Sequence, residues 1–207
     1  MKQNITAIIF DLGNVLIGWD ARRLYNRLFP DLETVDRFLE EIRFSEWNAK
    51  QDAGRSFQVG VAELSKEFPH YADLIQAYDT HWEESLTGVY EETVEIVREL
   101  KQANWQLYLL SNFSVEKFEL IKHQHEFLAL FDDQIISGEH KTVKPDRAIF
   151  DITLQRIKRA AEECLFIDDS LANIETARTL GFQTIHFQSP PLLREELKKL
   201  SIKGINL

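Results

Sequence analysis

Apolar residues along the chain repeat in two ways. AIIF (Ala7–Phe10), the body of WQLYLLSN (105–112) and CLFIDD (164–169) are short continuous apolar runs that stop at polar or turn residues. That is the signature of strands buried on both faces of a parallel sheet. FQTIHF (182–187) is a shorter, more polar run, and a weaker strand lies around DDQIISGE (132–139). Between these runs the spacing becomes helical. Thr93, Ile96, Val97 and Leu100 fall at i, i+3, i+4, i+7, and Phe150, Thr153, Leu154 and Ile157 repeat the pattern. Leu171, Ile174 and Ala177 make a shorter stripe, with Gly181 placed to close the helix. Alternation of strand and helix from about Val89 onward predicts βαβ crossovers and a parallel sheet.

One segment breaks the alternation. Residues 20–86 contain no convincing strand, but carry helical stripes at Val35/Phe38/Leu39/Ile42, Phe57/Val61/Leu64/Phe68 and Tyr71/Ile75/Tyr78/Trp82, with a weaker one at Leu24/Leu28. The expected organisation is therefore an α/β core from 1–19 and 87–207, with a small all-helical cap, 20–86, inserted after strand 1. The aromatic content of the insert suits a small bundle that must bury enough area. No internal repeat or low-complexity tract is visible.

Composition narrows the function. The formal net charge is −10, which argues against nonspecific nucleic-acid binding and means that an anionic substrate needs local devices to hold it. The single cysteine, Cys164, lies in an apolar run and reads as a buried, inert thiol in a reducing compartment. The N-terminal stretch lacks the long apolar region of a signal peptide, and no run approaches the roughly 20 residues of a membrane span. The expectation is a cytoplasmic protein with a small-molecule partner, without nucleic acid or membrane; oligomeric state is not legible.

In open parallel sheets ligands bind outside the carboxyl ends of the strands. Asp11, Ser111, Asn112, Asp168 and Asp169 stand at such ends, and Lys144 lies in the loop TVKPD after the weak strand. Three carboxylates together repel unless a cation shares the site, and hard oxygen donors suit Mg²⁺. Lys144 can offset phosphate charge, Ser111 and Asn112 can donate to phosphate oxygens, and the turn after Asp11 can offer backbone N–H groups. Asp11 is placed to attack phosphorus, a known use of carboxylate nucleophiles. Singly, each residue has a plainer reading: a double Asp as a turn or cap, Lys144 as a surface lysine, Ser111 as a cap, Asp146 as the N-cap of the next helix. Their joint order and placement favour the chemical one.

FDLGNVL, LLSN, VKPD and FIDDSLANIETA, in this order, resemble the four motifs of the haloacid dehalogenase superfamily, and the insert resembles the helical cap of its phosphatase branch. The resemblance implies a Rossmann-like core and a Mg²⁺-dependent phosphatase working through an aspartyl-phosphate. On it, Asp11 is nucleophile and metal ligand. Ser111 and Asn112 bind phosphate, Lys144 bridges phosphate and Asp11, Asp169 is the direct metal ligand with Asp168 beside it, and Asn173 orders that loop. Family phosphatases carry an acid/base Asp two residues after the nucleophile; this chain has Gly13, which retains the metal-ligating carbonyl but not the acid. The form FDLGNV also resembles a subgroup that includes bacterial sugar-phosphate phosphatases, one acting on glucose 1-phosphate.

For the missing acid, Asp20 and Asp52 are candidates, with a helix N-cap and a turn as their plainer readings. The loop SEWNAKQDAGRS (45–56), read as joining two cap helices, is the candidate specificity element. In it Trp47 could stack on a sugar and Arg55 could take a second anionic group, against Trp47 packing the cap and Arg55 being solvated. His123 and His125 share no helix face and form no zinc site. The leading expectation is a phosphomonoesterase acting on a small phosphorylated metabolite. The rivals are a metal-free 2-haloacid dehalogenase using Asp11 and an idle phosphate sensor.

Overall fold

The computed structural model describes residues 5–205. Residues 1–4 and 206–207, which include part of the stretch read for a leader and the outer ends of the expected core segments, lie outside the described residues. Five parallel strands form the central sheet: β1 (Ala7–Phe10), β4 (Gln106–Ser111), β5 (Asp133–Ile136), β6 (Cys164–Asp168) and β7 (Gln183–His186), in the order β5-β4-β1-β6-β7. Strand β1 is central because it is apolar on both faces. Ile8 and Phe10 enter one buried cluster with Ile96, Val97 and Leu197, while Ala7 and Ile9 enter another with Ile149, Phe150 and Ile174. The helices packed there are α6 (Glu91–Gln102), α7 (Val115–Lys122) and α11 (Pro190–Lys199) on the first face, and α9 (Arg147–Ile157) and α10 (Leu171–Thr179) on the second. This is the expected α/β fold with a Rossmann-like sheet. Gly181 ends α10 as expected: its φ is +99°, its N–H donates to Arg178 O, and the Phe182 N–H reaches back to Ala177 O.

Between β1 and α6 the chain differs from the expectation in two places. First, β2 (Ile17–Trp19) and β3 (Leu86–Val89) pair as an antiparallel ribbon at the entry and exit of the helical insert. Three- and four-residue strands with a glycine each carry too little alternation to read as strands. Second, the supposed loop 45–56 is mostly helix. The insert runs α1 (Ala21–Tyr25), α2 (Leu32–Glu41), α3 (Phe44–Asp52), α4 (Phe57–Glu67) and α5 (Ala72–Thr80). Asp31 and Ser56 cap α2 and α4, accepting from the Thr34 and Val59 N–H groups. The helices close on an aromatic core, including Tyr25–Phe38 and Phe44–Tyr78 edge-to-face pairs at 4.9 and 4.8 Å. That core is continuous with the first face of the sheet. A four-residue helix, α8 (Ser137–His140), follows β5.

Candidate active site

Asp11 is the first residue past β1, and its N–H still donates to Ile167 O at 2.9 Å, so the sheet fixes its position. Its side chain is almost fully buried. Oδ1 accepts from its neighbour's N–H, that of Leu12, at 2.7 Å and from Lys144 Nζ at 2.9 Å. The turn that follows closes on itself: Asn14 N–H donates to Ile17 O, and the N–H groups of Val15, Leu16 and Ile17 converge on Leu12 O. The expectation that this turn offers a row of free N–H groups to phosphate therefore shrinks, because the tight reversal consumes them. Asn14, not Gly13, takes the left-handed conformation (φ 54°), and its Oδ1 accepts from Trp19 N–H. Gly13 has an ordinary φ, and a Cβ there would meet nothing within 4 Å.

Lys144 is 3% exposed and its three donors are all used, on Asp11 Oδ1, on Asp168 Oδ2 at 2.7 Å and on Leu110 O at 2.9 Å. A phosphate oxygen reaching this ammonium has to share or displace one of these acceptors. Burial draws the Lys144 pKa down, but the carboxylates of Asp11 and Asp168 outweigh it and leave the pKa raised. Asn112 grips the lysine's own peptide, with Nδ2 on Lys144 O (2.8 Å) and Oδ1 on Lys144 N–H (2.7 Å). Its side-chain amide, expected to bind phosphate, is thus committed to holding the loop against β4. Asp168, fully buried, accepts from Lys144, from Ser170 N–H (2.8 Å) and from Asn173 Nδ2 (3.0 Å). Asn173 orders this carboxylate, whereas Asp169 beside it faces the cavity.

Carboxylate oxygens of Asp11, Asp168 and Asp169 lie within 4.8 Å of one another. Burial, followed by the nearby carboxylates against the pull of Lys144, raises Asp11 to about 7; burial and Asp168 raise Asp169. One ammonium against three carboxylates leaves an excess of two negative charges among hard oxygen donors, a set that fits Mg²⁺. Asp11, Asp169 and the Gly13 carbonyl are the residues that would hold it, since Asp168 is already fully engaged.

These groups floor a cavity of about 330 Å³ that also receives Ser111, Asn112 and Asn173. Its other wall comes from the helical insert and its flanks, Trp19, Asn48, Asp52, Phe57 and Trp82, while Lys117 of α7 lines it from the core. The candidates of the supposed loop therefore separate. Trp47 and Arg55 do not line the cavity. The Trp47 indole is buried, donates to Gly60 O at 2.8 Å and packs on Phe57 and Tyr78. Arg55 is spent on Gln51 Oε1, Glu63 and Trp47 O. The reason is helical phase. Trp47 and Gln51 sit one turn apart on the face of α3 turned into the insert's core, whereas Asn48 and Asp52 sit one turn apart on the face turned to the sheet. Asp20 caps α1 through Arg22 N–H at the surface, outside the cavity. Trp19, Phe57, Trp82 and Lys117 were not foreseen; Phe57 and Trp82 belong to stripes that signalled only packing.

A family model described as haloacid dehalogenase-like hydrolase matches residues 5–181. A sesquiterpene phosphatase of Aspergillus oryzae is 24% identical over 97% of this chain and 98% of its own length. A drimenol cyclase of Aspergillus calidoustus is 26% identical over 95% of this chain, but the match spans only 36% of that protein. Among solved structures, a HAD-like family hydrolase from Porphyromonas gingivalis superimposes with a TM-score of 0.73 at 26% identity, covering 96% of this chain and 98% of that one. A HAD family enzyme from Bacteroides thetaiotaomicron, in complex with magnesium and inorganic phosphate, gives 0.70 at 22% identity over 90% and 96%. The L-2-haloacid dehalogenase of Xanthobacter autotrophicus gives 0.62 at 19% over 98% and 85%, a likeness of fold alone.

Proposed function

The chain belongs to the haloacid dehalogenase-like hydrolases, and from that premise we propose that it is a Mg²⁺-dependent phosphomonoesterase acting on a small phosphorylated metabolite through an aspartyl-phosphate on Asp11. The observation that carries this reading is the cluster of Asp11, Asp168 and Asp169 around one lysine. An excess of carboxylate beside a nucleophile suits a divalent cation and an anionic substrate, and gives a metal-free dehalogenase nothing to use. Mg²⁺ in this cluster supplies charge neutralisation and polarises phosphoryl oxygens. Lys144 favours the ionised form of Asp11 against burial and aims it, Asp168 and Asn173 keep Lys144 in place, and Asn112 ties its loop to β4. Ser111 and the lip of the cavity bind the phosphoryl group.

In this reading 20–86 is a cap over a core of 1–19 and 87–207, and the cap selects the substrate. The wall of Trp19, Phe57 and Trp82 favours a monoester whose organic part offers a ring or apolar face. A sugar phosphate stacked on an indole is the first candidate, and the phosphatase relative makes a terpenoid monophosphate the comparison to run beside it. The test is turnover of 4-nitrophenyl phosphate and a panel of sugar and isoprenoid monophosphates with chelator, then with added Mg²⁺. Turnover should vanish and return; undiminished turnover in excess chelator overturns the reading.

A further inference from the structure

Resting on that reading, we propose that Asp52, the last residue of α3, is the catalytic acid and base of this hydrolase, occupying the role left open at Gly13. Of the acidic residues lining the cavity among the described residues, Asp11 and Asp169 belong to the carboxylate cluster; Asp52 is the one that does not. It reaches the cavity from the opposite wall, where a leaving group would stand. Its carboxyl is held from its own helix, where Asn48 Nδ2 donates to Oδ2 at 3.1 Å, and Asn48 is itself fixed by α5, its Oδ1 accepting from Tyr78 at 3.3 Å. Its main chain is tied to the sheet side, since Ser137 Oγ donates to Asp52 O at 2.6 Å. The surroundings favour a protonated carboxyl near neutrality. Burial pushes it up to about 7 against the pull of the Ser114 N–H. The ionisable groups facing it do not cancel this: Tyr78 of α5 is held neutral, its pKa raised well above the ordinary value by burial and then by Asp52, and Lys117 of α7 is bound to Asp79.

The steps balance. Asp11 Oδ bonds to phosphorus as the phosphorus–alkoxy bond breaks, and the departing oxygen takes the Asp52 proton, releasing the alcohol. The Asp52 carboxylate then takes a proton from water as the water oxygen bonds to phosphorus. The phosphorus–Asp11 bond breaks, hydrogen phosphate leaves, and both carboxyl groups return to their starting states.

The experiment compares Asp52→Asn, which keeps the Asn48 hydrogen bond, with the unaltered protein on 4-nitrophenyl phosphate and a simple alkyl phosphate. General acid catalysis is worth roughly 10²–10⁴-fold and matters most for the basic leaving group. The kcat/KM for the alkyl ester should fall by about that factor. With 4-nitrophenyl phosphate kcat/KM should change by only about threefold, and a burst of nitrophenolate should precede slowed turnover, because the phosphoenzyme waits for its base. Gly13→Asp in the same background should restore the alkyl ester, since position 13 has the space and an ordinary φ. If Asp52→Asn fails to fold, Asn48→Ala, which frees the carboxyl, should show the same leaving-group dependence more weakly. Equal losses on both esters without a burst would overturn the proposal and leave Asp52 a latch between α3 and the sheet. The phosphatase reading fails separately: Asp11→Asn would then retain turnover, or the unaltered protein would hydrolyse neither ester.

Discussion

The two walls of the cavity are built on opposite plans. On the sheet wall, charge is dense, and the groups around Asp11 hold one another in place. Lys144 spends all three donors, Asp168 takes three hydrogen bonds, and Asn112 spends both ends of its amide. On the helical wall, rings dominate and charge is sparse, with Asp52 and its Asn48 partner set among Trp19, Phe57 and Trp82. A saturated polar network has one geometry, so it can hold a group common to many substrates. An aromatic wall with a single carboxyl discriminates by shape and by the basicity of what leaves.

The sharpest way to break this contrast is on the sheet wall. Asp11→Asn should remove turnover of every phosphate ester alike, to below about a ten-thousandth of the starting rate, because no other residue can form the same phosphoenzyme. Selective loss would show that the sheet wall also reads the alcohol. Lys144→Met should be the most destabilising change on this wall. It strands two buried carboxylates, a loss of about 3–5 kcal/mol, visible as a large fall in the thermal midpoint at pH 7 that shrinks as the carboxylates protonate in acid.

On the helical wall the effects should diverge by residue. Trp47→Ala should cost about 3–5 kcal/mol of stability as a cavity in the aromatic core, with all substrates affected equally in assays below the melting temperature. Trp19→Ala should instead raise KM for the preferred metabolite more than for 4-nitrophenyl phosphate, with a smaller change in melting temperature, because Trp19 is only half-buried. Asp52 gives a further reading through pH. Its folded pKa of about 7 lies above the ordinary 3.8, so the fold prefers its protonated form. That contribution is full below about pH 4 and falls as pH rises through about 7, at no more than about 1.4 kcal/mol per unit. Denaturant titrations of Asp52→Asn and the unaltered protein should converge at low pH and separate above it, with the variant the more stable at pH 8. The smallest effect belongs to Gly13→Ala. With space around the Cβ and an ordinary φ, stability should stay within about 1 kcal/mol.

The sheet wall was legible from sequence and the helical wall was not, for one physical reason. A strand that ends on Asp11, Ser111 or Asp168 delivers that residue to a known edge, so topology alone locates it. A helix gives its residues faces, and which face meets the sheet depends on how the helix packs. Trp47 and Asn48 are neighbours in sequence, yet one is core and the other lines the cavity. Asp52 was a candidate acid whose plainer reading was a turn, and sequence could not choose between the two, because what surrounds it comes from α5, α7 and α8 rather than from anything adjacent to it. Ser111 and Asn112 show a finer limit: adjacency marked both as phosphate donors, but the Asn112 amide is taken by the Lys144 peptide, a contact 32 residues away.

The ordinary φ and open surroundings of Gly13 carry a consequence for how this chain is able to change. The change at issue is the single substitution of aspartate for glycine at this turn. The backbone raises no obstacle, since the left-handed burden of the reversal falls on Asn14. No fold-level barrier therefore separates the glycine and aspartate forms, and they compete on rate alone. With a second proton carrier already opposite, an added carboxylate would bring a further negative charge into a cluster that is already over-supplied, in return for a proton it does not lack. An alcohol too basic for Asp52 to protonate efficiently, if the protein ever meets one, is the substrate that would select the change.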